Sequence, residues 1–180
     1  MSKKLYVITG PSGAGIREIA AAVFARREDL AAPIPVTARK MKPGEEDGVG
    51  FFFYDLEGWN ALKETGDLLE SIEFAGNDYG TSRRRVEARF AEGKNALLEL
   101  GVERAAQLKR NMPEAVCVYV EPSEAVLSER YRALSHSALE LSLRIETAAR
   151  ERAASGFCDA RICSDDLDAA ADALDALIAR

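Results

Sequence analysis

The sequence predicts an α/β domain, a mainly parallel sheet covered by helices on both faces, with a small β-rich insertion. Three observations carry this. A short run of β-formers, Leu5 to Thr9, leads through a glycine-rich turn into a stretch with helical spacing. From Ala96 onward, strand-like and helix-like segments alternate to the C-terminus, a pattern that implies parallel strands with helices on both sides. Between these parts, from about Ile34 to Asn95, prolines and glycines interrupt short β-leaning runs.

Taken in order, Leu5 to Thr9 is a buried strand and Gly10 to Gly15 a turn. Ile16 to Arg27 is a helix, because Ile16, Ile19, Ala20, Val23 and Phe24 fall on one face. In the insertion, Phe51 to Tyr54 and Leu68 to Phe74 read as strands, with a short helix from Leu56 to Thr65 between them. Ser82 to Glu92 reads as a helix closed by Gly93. The alternation then runs strand Ala96 to Leu100, helix Val102 to Arg110 and strand Ala115 to Val120. Ser123 caps a helix reaching about Leu134, and Ala138 to Ala154 is a longer helix. Ala160 to Cys163 is a short strand, and Asp166 to Ala179 is a last helix whose first acids suit the helix dipole. No internal repeat and no low-complexity linker interrupts the chain.

The 180 residues fit one domain, and 47% hydrophobic with 30% charged residues is ordinary for a globular chain. A net charge of −6 argues against a nucleic-acid partner, which needs a basic face, but leaves room for a small anion held by local donors. No segment has the length of a membrane span, and the run after Met1 is too short for a signal sequence, so a cytoplasmic place is expected. Cys117, Cys158 and Cys163 form no disulfide framework, and a single histidine, His136, argues against a metal site.

The turn Gly10-Pro11-Ser12-Gly13-Ala14-Gly15 has the glycine spacing of a phosphate-binding loop, G-x-x-x-x-G-K-[ST]. Glycines let backbone N–H groups curl around phosphates, and the helix that follows points its positive end at them. The rest of the motif is gone. Ile16 stands where a lysine reaches the outer phosphates, and Arg17 where a hydroxyl ligates Mg²⁺. Losing one preorganised donor costs roughly 3–4 kcal/mol, about 10²–10³ in rate. Arg17 as a replacement starts about 100° further around the helix.

Thr37-Ala38-Arg39, Lys42-Pro43-Gly44-Glu45, Asp47-Gly48, Phe51 and Asn77-Asp78-Tyr79-Gly80-Thr81 resemble the guanylate kinase family, in register from Lys3 to the C-terminus. The resemblance implies a P-loop kinase fold and transfer of the γ-phosphate of ATP to GMP. It implies a core of residues 1–33 and 93–180, a helical lid at about 123–154 and a GMP-binding subdomain at 34–92. By resemblance, Arg39 and Tyr79 hold the GMP phosphate, Glu70 accepts from the guanine N–H groups, and Thr81 reads the guanine oxygen. Glu99 matches a further acid of this site. Lys42 stands for an arginine and gives up its fork. Phe51 stands for a tyrosine, and Pro35 for a serine near the base. Gly101 replaces an aspartate. In the lid, Arg130 and Arg132 are kept, Leu134 replaces a second arginine, and another falls at Ile145 beside Arg144.

No catalytic residue is therefore expected intact. Arg17, Arg130, Arg132 and Arg144 are the candidates to substitute for the missing charges. Taken one at a time, each site residue has a plainer reading. Arg39 and Lys42 suit a solvated loop, Glu70 an exposed strand position, Tyr79 a packed turn. Arg83, Arg84 and Arg85 at a helix start suit either an anion or a solvated face. Three functions stay open. The first is a weak or inactive kinase that keeps part of a site for GMP or another small phosphate-bearing ligand. The second is a divergent working kinase, which alone needs ATP and Mg²⁺. The third is a regulatory module that binds a nucleotide or a phosphorylated protein partner.

Overall fold

A computed structural model describes residues 3–180; Met1 and Ser2, the start of the N-terminal run read above, lie outside them. Five parallel strands form the main sheet. They are β1 (Leu5–Thr9), β2 (Leu30–Ala31), β7 (Asn95–Glu99), β8 (Val116–Glu121) and β9 (Ala160–Cys163). Their order is β2-β7-β1-β8-β9, with every pairing parallel.

Strand β1 shows why this sheet needs covering on both sides. Successive side chains point to opposite faces. Tyr6 and Ile8 enter a core with α1 (Ile16–Arg26) and α7 (Leu167–Ile178), meeting Ile19, Val23, Ala171 and Leu174. Leu5 and Val7 enter the other core, with Val86 of α3 (Arg83–Ala91) and Ala105 and Leu108 of α4 (Val102–Asn111). All five β1 residues are buried, as expected for a central parallel strand. Cys117 belongs to the second core, and burial pushes its thiol up to about 12. Burial also raises Cys158, to about 11, whereas Cys163 is exposed.

The insertion carries four strands where the sequence predicts two. β3 (Val36–Thr37), β4 (Phe52–Phe53), β5 (Leu68–Phe74) and β6 (Asn77–Ser82) form a second sheet in the order β4-β3-β6-β5. β3 has two residues, too few for any periodicity. β6 is the polar run Asn77-Asp78-Tyr79-Gly80-Thr81-Ser82, which looks like a turn until it pairs antiparallel with β5. The hairpin turns at Ala75 and Gly76, both at positive φ, the twist that two-residue hairpin turns require. Helix α2 (Leu56–Glu64), capped by Asp55 on the Gly58 N–H, buries Trp59 and Leu62 against Val36.

Two further helices, α5 (Glu124–Leu134) and α6 (Ala138–Ala154), pack through Leu127, Tyr131 and Ala148. On this pair, Leu134, Leu139, Leu143 and Ile145 are exposed. Among the described residues, no helix is long and apolar enough to cross a membrane.

Candidate functional site

The glycine loop joins β1 to α1 at the C-terminal edge of the sheet. Gly13 and Gly15 have φ near +80°, and the Ala14 N–H donates to the Pro11 carbonyl, which curls the loop. Gly15 starts α1 with no side-chain cap, so the first-turn N–H groups face outward unsatisfied by a side chain. Gly10 is needed for space as well. A Cβ there would stand 2.0 Å from the Val120 carbonyl oxygen.

A cleft of about 560 Å³ opens over this loop, lined by residues 10–18 together with Glu99, Leu100, Gly101, Arg130, Leu134 and Leu167. Ile16 and Arg17 are both in its wall. Its charged residues are Arg17 and Arg130 against Glu18 and Glu99, so the lining carries no excess of positive charge. Partial desolvation between the walls raises the Glu99 carboxyl above its ordinary range; Arg17 opposes that shift and Glu18 adds to it. Arg130 is tied down. One Nη donates to the Gly13 carbonyl at 2.9 Å and the other to the Ser164 carbonyl at 2.8 Å. Arg144 of α6 pairs with Glu140 at 2.7 Å and reaches the Ser12 hydroxyl of the loop at 3.4 Å. Arg132 is exposed on α5, away from the cleft lining.

A second cavity of about 430 Å³ lies between the two sheets, and Glu99 and Leu100 line it as well as the first. Here the fold brings together Phe51, Tyr79, Thr81 and Glu99, read from different parts of the sequence. Pro35 is also in the wall. The Phe51 and Tyr79 rings stand 5.8 Å apart, and the Arg39 guanidinium lies 5.6 Å from the centre of the Phe51 ring. Arg39 makes a two-pronged ion pair with Glu45, both contacts at 2.9 Å. That pair, with a bond from the Lys42 N–H, lowers the Glu45 carboxyl to about 2. Lys42 itself is exposed.

Glu70 lies elsewhere than an exposed strand position. It is fully buried, takes the Thr81 hydroxyl at 2.6 Å, and forms a fork with Arg104 of α4. A buried carboxylate requires such a partner. Arg104 lines the second cavity and is the residue that sequence reading missed. The signal for it was Glu70 itself, an acid in the apolar run Leu68-Leu69-Glu70, which calls for a cation from some other element. Arg83, Arg84 and Arg85 form no joint anion site. They go to the Asn111 carbonyl, to Asp67, and to the Phe52 ring with the Tyr54 hydroxyl.

The family model described as guanylate kinase matches residues 2–180. The chain belongs to the guanylate kinase family. It is 39% identical over 166 residues to the guanylate kinase of Synechococcus sp. (strain CC9311), covering 91% of this chain and 87% of that protein. The guanylate kinase of Thermobifida fusca (strain YX) is 37% identical over 181 residues, covering 98% and 91%. The crystal structure of guanylate kinase from Anaplasma phagocytophilum superposes with a TM-score of 0.66 at 23% identity, covering 99% of this chain and 85% of that one. A shikimate kinase structure from Bacteroides thetaiotaomicron, at 11% identity and a TM-score of 0.53 over 98% of this chain, shares the fold. The loop cleft holds Ile16 and Arg17 where the glycine-loop motif is interrupted, and the second cavity lies against the small sheet.

Proposed function

We propose that this member of the guanylate kinase family binds a nucleoside monophosphate between its two sheets and has lost efficient phosphoryl transfer from ATP. Residues 34–92 form the monophosphate subdomain in this reading, and about 123–154 the lid. The observation that carries it is the charge of the loop cleft. A triphosphate needs cations preorganised around its outer phosphates. Ile16 offers none, and Arg130 is held toward the carbonyls of Gly13 and Ser164 by one donor from each Nη. Glu18 and Glu99 cancel what remains.

The donor set does not suit Mg²⁺ either. The position that would supply a hydroxyl carries the Arg17 guanidinium, which repels a divalent cation, and Ser12 is engaged by Arg144. On the monophosphate side, Tyr79 lines the cavity, and Arg39, exchanging Glu45 for the phosphate, would join it from the neighbouring loop, with Lys42 adding charge. Phe51 walls the cavity, and Glu99 stands where the two clefts meet. The three free thiols suit a reducing compartment, and on that ground we place the protein in the cytoplasm.

One observation favours a second reading, a divergent working kinase. Arg17 lines the same cleft as Ile16 and could swing toward a phosphate. The deciding experiment is ADP release from Mg²⁺–ATP by the folded protein, with GMP and then with IMP, XMP, UMP and AMP, so that inactivity is not traced to the base. Release stays below about 1 s⁻¹ with every acceptor if the cleft has lost its function. Faster release with any of them assigns the lysine's work to Arg17 and rejects the proposal.

A further inference from the structure

We infer that Arg104 sets the base specificity of the cavity between the sheets. The cavity takes a monophosphate whose ring presents carbonyl oxygens and lacks an amino group, in preference to GMP. This rests on reading the cavity as a monophosphate site.

The polar groups facing that cavity differ from those nearest to it. Glu70 is fully buried and is not part of the wall. A carboxylate has about four lone-pair sites. One Glu70 oxygen takes both the Thr81 hydroxyl, at 2.6 Å, and an Arg104 Nη, at 2.9 Å, while the other takes the Arg104 Nε. Three sites are therefore filled by protein. Thr81 has only one proton and gives it to Glu70, so it turns lone pairs to the cavity. Arg104 carries five N–H donors. Two are held by Glu70, and the others have no protein partner among the described residues, on a side chain 28% exposed. Pro33 and Pro35 contribute no N–H, and Phe51, Ile72 and Phe74 are apolar. The one acid in the wall, Glu99, is shared with the loop cleft and lies within Coulombic reach of Arg17.

The cavity therefore offers donors at Arg104 and an acceptor at Thr81. The edge of guanine that distinguishes it from other purines carries one carbonyl and two donors, a ring N–H and an amino group. Against a guanidinium, that amino group has no acceptor, and a polar group left unpaired against another donor is disfavoured. A ring with a carbonyl in its place accepts from Arg104 and donates its N–H to Thr81. Xanthine and uracil satisfy this chemistry, and hypoxanthine, with a C–H in that place, is free of the unpaired amino group. Phe51 and Tyr79 supply aromatic walls for any of them.

The test is calorimetric titration of the full chain with GMP, IMP, XMP, UMP, AMP and ribose 5-phosphate. IMP and GMP differ only by the amino group. At least one of IMP, XMP and UMP is expected to bind ten times or more as tightly as GMP, and the purine and pyrimidine arms show which ring fits. Arg104→Ala should narrow or invert that ratio by releasing Glu70 to guanine. Arg104→Lys, which keeps a charge beside Glu70 but loses the fork, should flatten it if the alanine variant does not fold. GMP binding as tightly as every oxo ligand in the unaltered chain overturns the inference, while ribose 5-phosphate binding in that same case leaves the phosphate site standing. Failure of every monophosphate and of ribose 5-phosphate to bind rejects the site itself, and this inference with it.

Discussion

Arg39 and Arg104 each grip a carboxylate with both prongs of a guanidinium, but in different surroundings. Glu45 is partly exposed on a loop, whereas Glu70 is sealed in the core. For Glu45 the consequence is a pH dependence. Its carboxyl is held at about 2 by Arg39 and the Lys42 N–H. A depressed carboxylate stabilises the fold above its ordinary pKa, and the effect is lost as the pH falls through the folded value. The loop from Arg39 to Phe51 should therefore hold its structure down to about pH 4 and loosen between there and about 2. The Glu45 carboxyl carbon shift, followed by NMR, would show no titration step above about 3 if this is right. In the loop cleft, restoring the motif with Ile16→Lys and Arg17→Ser should raise ATP turnover less than about tenfold, against the 10²–10³ attributed to one such donor. Leu134 and Ile145 still supply no charge on α5 and α6, and a larger gain in the ADP-release assay would show that the loss is confined to the loop. The glycine loop and the losses at positions 16 and 17 were legible because they are adjacent in sequence. Arg104 was not, because its partner lies 34 residues away and only the fold joins them.

At the scale of elements, the glycine loop depends on close approach to β8. With Val120 oxygen 2.0 Å from the position of a new Cβ, Gly10→Ala must push strand β8 or the loop aside. Overpacking of this kind costs about 1–3 kcal/mol. A urea midpoint lowered accordingly is expected, and an unchanged midpoint would mean the loop has slack that this geometry denies. Long segments with a clear period were legible. Ala138–Ala154 carries helix formers throughout, and Leu68–Phe74 is a long β-leaning run. The short strands β2 and β3 and the polar β6 were not, because pairing partners rather than local preference make them strands.

At the scale of the molecule, β5 ties the two sheets together. It pairs with β6 in the small sheet, while Leu69 packs in the core beside Val7 and Cys117. Asn111 donates to the Leu69 carbonyl, and the Ser71 N–H donates to Gln107, both partners being on α4. Unfolding the small sheet therefore strips the large one. Trp59, the single tryptophan, is fully buried in the small sheet's core and reports on that part alone. Its fluorescence and the far-UV circular dichroism should give coincident urea transitions. A fluorescence midpoint well below the dichroism midpoint would show that the small sheet unfolds independently. The parallel α/β architecture was legible at this scale from the alternation alone. The coupling through β5 was not, since it depends on which face of a strand meets which helix.

The three cysteines also make the protein easy to tag. Burial raises the thiols of Cys117 and of the half-buried Cys158 and makes both less reactive, while Cys163 stands in the open. It ends β9, next to Ser164, whose carbonyl anchors Arg130 to the glycine loop. A maleimide dye at pH 7 should therefore attach once per native chain and three times after denaturation. Without any engineered cysteine, a single reporter can be placed near the glycine-loop cleft.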